Sequence, residues 1–530
     1  MKPITTLLLL LGSALQGQSS APVKTESGLV SGTGAAVRVF KGIPYAAPPI
    51  GNLRWKAPLP PVPWSGVRAA TEFGPPCTQP FTGIPLPKQS EDCLTLNIWT
   101  QAVKRSARLP VVVCLHGGGF LAGAGNLPAY DGERWAEQGI VFVSINYRLG
   151  PMGFLAHPEL SKESPNGSSG NYGLLDQIQA LAWVHRNIVA FGGDPSQVTI
   201  FGESSGGSSV GYLLASPLTN GLFTRAIAES PQGLFMPISH RDRSWYGRVP
   251  AEQIGERMGM DIDALRALSP DDILKKSSPA NPALPKGSEF QPIVDGWVLP
   301  DDPATIFESG RAHKVALLGG TNSNDGAALT FLARPPTTVA GYREYLKGRF
   351  GDAFESAFGM YPVSNDKEVR QAEDLVTTDM NFLYGTHAML IAMSKRSKDV
   401  YWFEFTHRDP LSRSMGALMG FPGAFHGAEM GYVVGDFSKS LFSGPPFVTR
   451  KLTYDENDLA LMKAMNGAWV RFVKTGNPNG EGLPRWSRVS VNRNEYLEYG
   501  ESIRVGRDLR EEQMQFLADF LTRRRAERER

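Results

Sequence analysis

Val198-Thr199-Ile200-Phe201-Gly202-Glu203-Ser204-Ser205-Gly206 is the stretch that decides the fold. An apolar, β-branched run enters a glycine-X-serine-X-glycine turn, and a small-residue segment with helical character, residues 205–214, leaves it. Strand, sharp turn and helix together are the context in which such a serine is lifted above a sheet as a nucleophile. The turn forces Ser204 into strained backbone geometry, and side chains two residues to either side would collide, so Gly202 and Gly206 are expected there. The following helix begins at the turn, and its first N–H groups and positive dipole end face the serine.

Working outward, other short apolar runs read as buried parallel strands: residues 111–115, 140–147, 315–318 and 401–405, besides 198–201. Between them lie helical stretches such as residues 173–187, where Leu174, Leu175, Ile178, Leu181, Ala182 and Val184 fall near one face. Strand–helix alternation predicts an α/β fold, a mostly parallel sheet covered by helices on both faces, with large loop insertions over the site. Chemistry in such sheets sits at the carboxyl ends of the strands.

The second glycine motif, His116-Gly117-Gly118-Gly119-Phe120, also ends an apolar strand. Such a loop turns backbone N–H groups inward to hold an oxyanion, completed by the N–H after the nucleophile. That assigns Gly118, Gly119 and Ser205 to the hole. A phosphate-binding reading lacks the Lys-Ser/Thr that a P-loop requires.

A serine hydroxyl needs a base. In this fold the order along the chain is serine, acid, histidine. His240, His313, His387, His407 and His426 follow Ser204, and His426 stands in Gly423-Ala424-Phe425-His426-Gly427-Ala428-Glu429, a loop free to aim the ring. The remaining histidines read as structural. For the acid, the strand at 315–318 runs into Gly319-Gly320-Thr321-Asn322-Ser323-Asn324-Asp325-Gly326, and Asp325 past a strand end is placed to hold the imidazole's other N–H.

The chain of 530 residues carries 54 basic and 52 acidic side chains, a net charge of +2, which gives no field for nucleic acid or an anionic membrane. The arginine-rich end, residues 523–530, reads as a frayed, solvated helix tail. Met1-Lys2, an apolar run from Ile4 to Leu15 and small residues from Gly17 to Ala21 read as a signal peptide. Residues 1–20 are therefore expected to be removed on export, to a secreted or periplasmic location, leaving 21–530 as a single domain. The apolar run is shorter than the ~20 residues of a membrane span. Of three cysteines, Cys77 and Cys93 flank a Pro/Gly-rich loop as the natural disulfide, while Cys114 lies inside an apolar run as a buried thiol. Metal-ligand spacing is absent from the sequence, so no cofactor is expected.

Taken together these motifs resemble the type-B carboxylesterases, which include the cholinesterases. The resemblance extends from about residue 25 to 505 through Lys41-Gly42-Ile43-Pro44-Tyr45-Ala46, Gly51-Asn52-Leu53-Arg54-Trp55, Glu91-Asp92-Cys93-Leu94, Asn146-Tyr147-Arg148-Leu149-Gly150, Gly170-Asn171-Tyr172-Gly173 and Phe191-Gly192-Gly193-Asp194-Pro195. It implies the α/β-hydrolase fold, the triad Ser204, Asp325 and His426, the oxyanion hole already assigned, and a Cys77–Cys93 disulfide. It further implies ion pairs of Arg54 with Glu91 and of Arg148 with Asp176, and a supporting bond from Ser230 to the acid. Glu203, next to the nucleophile, is likewise expected to support the triad without touching substrate. Two departures stand out: Ser205 where the family usually has alanine, and Asp325 where it usually has glutamate. One possible disulfide and no choline-binding tryptophan point away from a cholinesterase and toward the exported bacterial branch.

The expected function is therefore a serine carboxylic-ester hydrolase acting on small-molecule esters through an acyl-enzyme. The alternatives are a catalytically silent binding or adhesion module, or the same site cleaving amides, carbamates or thioesters. Phe120, Leu121, Phe425 and the region 331–336 are candidate pocket walls.

Overall fold

The apolar runs become strands buried on both faces. This computed structural model of the protein describes residues 21–80, 86–236, 238–244, 248–279, 286–333, 336–419, 422–439 and 452–527. The expected leader, residues 1–20, lies outside them. In chain order the strands are β1 (Val23–Lys24), β2 (Leu29–Ser31), β3 (Arg38–Pro44), β4 (Val67–Ala69), β5 (Thr95–Thr100), β6 (Leu109–Leu115), β7 (Val141–Ile145), β8 (Gly193–Glu203), β9 (Arg225–Glu229), β10 (Ala316–Asn322), β11 (Val400–Phe405), β12 (Glu495–Tyr499) and β13 (Ile503–Arg507). Along β6, Val111, Val113 and Leu115 enter one core while Val112 and Cys114 enter the other. On β11, Val400 and Trp402 alternate in the same way with Tyr401, Phe403 and Phe405. Burial on both faces is why these segments read as unbroken apolar runs.

The large sheet has ten strands in the order β13-β12-β11-β10-β9-β8-β6-β7-β5-β3. Every neighbouring pair from β12 to β7 is parallel, and antiparallel pairs close both edges. A small sheet of β1, β2 and β4 stands apart. Helices Tyr172–Asn187, Ser205–Ala215, Tyr384–Ser394 and Glu456–Thr475 contribute buried faces to the two cores.

One sequence expectation changes. The glycine pair Gly319-Gly320 continues β10 rather than opening a turn, pairing with Trp402 and Phe403 on one side and with Ala228 and Glu229 on the other. A Cβ on Gly320 would stand 2.2 Å from the Phe403 carbonyl oxygen, so the strand needs glycine where its neighbour is bulky. The helix Glu511–Glu527 runs into the arginine-rich end, whose last residues, 528–530, lie outside the described residues. Phe516, Leu517, Phe520 and Leu521 are buried in the core, and Arg525 pairs with Glu308 at 2.6 Å; Arg523 and Arg524 are exposed as expected. Among the described residues no helix is long and apolar enough to cross a membrane.

The expected covalent and ionic staples are present. Cys77 and Cys93 form a disulfide with Cα atoms 5.0 Å apart, and Cys114 is a buried free thiol. Arg54 Nε donates to Glu91 at 2.6 Å and Arg148 Nη2 to Asp176 at 2.7 Å.

Candidate active site

Four adjacent strands, β10, β9, β8 and β6, deliver their next residues to one place: Asp325, Ser230, Ser204 and the glycine loop at 117–119. Ser204 stands at the top of β8 with φ 60° and ψ −126°, a left-handed conformation that non-glycine residues adopt only at a cost. The elbow closes because its flanks have no side chains. A Cβ on Gly202 would meet the Gly206 backbone at 2.3 Å, and one on Gly206 would meet the Leu115 carbonyl oxygen at 2.1 Å.

His426 links Ser204 and Asp325. Its Nε2 lies 2.8 Å from Ser204 Oγ and its Nδ1 2.8 Å from Asp325 Oδ1. With Nδ1–H donating to the carboxylate, Nε2 is left to accept the serine proton. Asp325 is fully buried, and its second oxygen accepts from Ser230 Oγ and from the Asn322 backbone N–H, each at 2.8 Å. Two donors on one oxygen leave the other for the imidazole. The acid loop and the histidine loop are also zipped together, Asn324 N–H donating to the Ala424 carbonyl at 3.0 Å and Asn322 Nδ2 to the Phe425 carbonyl at 2.8 Å.

The glycine loop packs directly on the nucleophile. A Cβ on Gly117 would stand 3.1 Å from Ser204 Cβ. Gly118 and Gly119 have φ 115° and 65°, and Gly118 O accepts from both Leu121 and Ala122 N–H, which folds the loop back on itself. Gln291 Nε2 donates to the Gly119 carbonyl at 3.0 Å, a tether from a distant loop. Ser205 opens the helix with its N–H end at the elbow, and its hydroxyl is buried beside the Tyr147 phenol.

The charge environment is strongly acidic. Glu203 Oε1 lies 3.2 Å from His426 Nε2, outside hydrogen-bond geometry. Burial pushes Glu203 up to about 7, with His426 opposing and the Asp325 charge adding. Glu429 is pushed up to about 8 by burial, then by Glu203 and Asp325. Burial, then Glu429, holds Glu229 well above the usual carboxylate range. For His426, burial alone would lower the pKa; Glu203, the Asp325 hydrogen bond and Glu429 outweigh it and raise it to about 9. His116 is driven the other way, to about 4, because burial acts with no carboxylate beside it; its ring stacks on Tyr147 at 4.2 Å.

Among the proposed wall residues, Phe120 packs against Phe154 and Tyr212 in one core and Phe425 sits in the other. Leu121 faces the backbone of Gly150 and Gly287. The side chains of residues 331–335 lie outside the described set. Sequence reasoning passed over Glu229, Glu429, Asn322, Gln291 and Phe382, whose ring lies 4.7 Å from that of His426. Glu429 alone carried a signal, a carboxylate three residues past the base in the same loop. Among the described residues no group of His, Cys, Asp and Glu is arranged to hold a metal ion.

A serine, histidine and aspartate aligned at the carboxyl ends of neighbouring parallel strands, beside a glycine loop, is an arrangement found among serine hydrolases of the α/β-hydrolase fold. The carboxylesterase family profile matches residues 19–517, so the chain belongs to that family and is a carboxylic ester hydrolase. It is 38% identical over 496 residues to the fumonisin B1 esterase of Sphingopyxis macrogoltabida, covering 92% of this chain and 87% of that one. It is 35% identical over 512 residues to the para-nitrobenzyl esterase of Bacillus subtilis (strain 168), covering 93% and 98%. A solved structure of a PNB esterase superposes with a TM-score of 0.77 at 33% identity, covering 94% of this chain and 99% of that chain.

Proposed function

We propose that the chain hydrolyses small-molecule carboxylic esters through an acyl-enzyme on Ser204. The observation that carries this reading is the unbroken relay Ser204–His426–Asp325, with both contacts at 2.8 Å. His426 Nε2 takes the hydroxyl proton as Ser204 Oγ attacks the ester carbonyl. The C=O bond becomes an oxyanion, held by the N–H groups of Gly118, Gly119 and Ser205, where each donor is worth roughly 2.7–4 kcal/mol of barrier. The imidazolium then protonates the alcohol as its C–O bond breaks. Water, deprotonated by His426, repeats the attack on the acyl-enzyme and releases the acid. Asp325 holds the imidazole tautomer and stabilises its positive charge, while Ser230 and Asn322 hold Asp325. The same oxyanion site suits amides, carbamates and thioesters, but the family and its esterase-named relatives favour esters.

We also read residues 1–20 as a cleaved export signal and 21–530 as one catalytic unit of the exported bacterial branch. The Cys77–Cys93 disulfide supports an oxidising destination.

Hydrolysis of p-nitrophenyl acetate and butyrate by the wild type beside Ser204→Ala tests the reading. Turnover that falls to background in the variant is expected. Full turnover in Ser204→Ala, or none in a folded wild type, overturns it.

A further inference from the structure

Arg510 stands immediately before the C-terminal helix Glu511–Glu527, 84 residues beyond His426 in sequence. Its backbone is left-handed at φ 51°, and Asp508 two residues earlier is also left-handed at φ 52°. Neither is glycine, and a positive φ is uncommon for residues with side chains.

The guanidinium makes two contacts in the interior. Nη1 donates to Asp379, whose side chain is fully buried, and Nη2 donates to the Ser323 carbonyl at 3.3 Å. Each partner belongs to one of the two devices that hold His426. Asp379 opens a π-helical turn, Asp379–Leu383, inserted between helices Asp366–Thr378 and Tyr384–Ser394. That turn carries Phe382, whose ring rests on the imidazole, and Asn381, whose carbonyl accepts from Gly233 N–H at 2.6 Å. Tyr361 OH adds a second donor to Asp379 at 3.0 Å. Ser323 lies in the loop of the acid. Its N–H donates to the Phe405 carbonyl at 3.0 Å, and its Oγ accepts from Ala424 N–H at 3.2 Å, two residues before His426.

One side chain from the end of the chain thus joins the acid loop to the turn that backs the base. π-Helical insertions concentrate at functional sites because they re-aim a side chain. Stability alone is a weak reason for this ion pair, since a buried pair is often no better than an apolar replacement. Geometry is a stronger reason, because a displacement of ~1 Å at a reacting group costs on the order of 100-fold in rate.

We propose that Arg510 is a positioning residue for the triad: by bridging Asp379 and the Ser323 carbonyl it fixes the His426 ring between Asp325 and Phe382, so that the C-terminal helix governs turnover. This rests on the triad reading above.

The test compares Arg510→Met, Arg510→Lys and Asp379→Asn in the full chain with Arg525→Met. Arg525 also anchors the C-terminal helix, through Glu308, but does not reach the site. The readouts are kcat and KM for p-nitrophenyl butyrate, the pH profile of kcat/KM, and melting temperature. Arg510→Met and Asp379→Asn are expected to lower kcat by about 10- to 100-fold with KM changed less than about threefold, and to move the ascending limb of the pH profile as the imidazole shifts against its carboxylates. Arg510→Lys keeps the charge on Asp379 but loses the fork, and recovers part of kcat. Arg525→Met lowers melting temperature with kcat unchanged. Should Arg510→Met fail to fold, Arg510→Lys and Asp379→Asn decide: folded variants with wild-type kcat overturn the proposal, and reduced kcat at unchanged KM sustains it. A kcat loss that Arg525→Met shows to the same extent at a comparable drop in melting temperature also overturns it. Ser204→Ala separates the two readings: turnover surviving there removes the triad itself, whereas a Ser204-dependent enzyme indifferent to Arg510 removes only this inference.

Discussion

Replacing Glu203 by glutamine tests the electrostatics of the site most directly. The carboxylate oxygen lies 3.2 Å from His426 Nε2, the atom that must take the serine proton. Opposite unit charges at that distance attract by about 5 kcal/mol at an effective dielectric of ~20. Glu203, pushed up to about 7, is ionised at the pH where His426 titrates, but not all of its attraction is lost on substitution, because a glutamine carbonyl dipole remains in its place. Glutamine keeps the shape and the dipole and removes the charge. A loss of about 1.4–2.7 kcal/mol, or one to two pH units on His426, is the expected remainder. The sign follows from the chemistry. His426 is raised to about 9 and acts as a base only when neutral, so the wild-type ascending limb of kcat/KM lies far above the ordinary histidine value. Glu203→Gln moves that limb to lower pH by one to two units. It also lowers the high-pH plateau, because the same carboxylate stabilises the imidazolium that forms as Ser204 attacks. The assay is initial-rate hydrolysis of p-nitrophenyl butyrate from pH 5 to 10, with the buffer-catalysed rate subtracted. An ascending limb that stays in place or moves to higher pH refutes the account.

Three further outcomes are expected. Glu429 has a folded pKa of about 8 against an ordinary 4.5, so its contribution to stability is present below pH 4.5 and is lost as pH rises toward 8; Glu429→Gln should therefore melt higher than wild type at pH 8, by the equivalent of roughly 1–3 kcal/mol, with the gap closing at pH 4.5, and a pH-independent gap contradicts this. Opening the Cys77–Cys93 loop, with a sequence separation of 16, by the double change Cys77→Ser and Cys93→Ser should cost about 3 kcal/mol in denaturant unfolding, and an unchanged midpoint would refute it. Gly206→Ala places a methyl 2.1 Å from the Leu115 carbonyl oxygen, so esterase activity should fall at least 100-fold even in protein that retains its circular dichroism; near-wild-type rates would mean that the elbow can open.

Legibility in the sequence followed how local each constraint is. The elbow was readable because steric demands within five residues dictate both glycines around Ser204. The strands were readable because burial on two faces leaves an apolar run, as in residues 111–115. Asp325 and His426 were found from chain order and flanking turns, which narrow the choice without any knowledge of distance. Gly319-Gly320 misled because glycine pairs usually mark turns, and only the aromatic neighbours on β11 reveal why a strand needs them. Glu229, Gln291, Phe382 and Arg510 act across separations that no local pattern encodes. Gln291, for example, meets Gly119 from 172 residues away.

The buried carboxylates around the base explain the energetics of the site best. Asp325, Glu203, Glu229 and Glu429 are all buried within one region, and the last three are held toward their protonated forms by that burial. Such a cluster weakens the fold above pH 4.5, and packing alone gives no reason to keep it. Glu203 raises both Glu229 and Glu429, and Glu429 raises Glu229, so their protons leave as a set rather than one side chain at a time. The cationic partner of Glu203, Asp325 and Glu429 is His426, which draws its raised pKa from those three together. In the proposed reaction that ring gains a proton at the moment an oxyanion forms beside it. A site already polarised toward imidazolium needs little reorganisation at that step, and fixed charges in a water-poor interior act more strongly than the same charges in solvent. The acidic surroundings of His426 thus trade stability for a base whose charged form is stabilised before the substrate arrives, at the cost of moving its working range to alkaline pH.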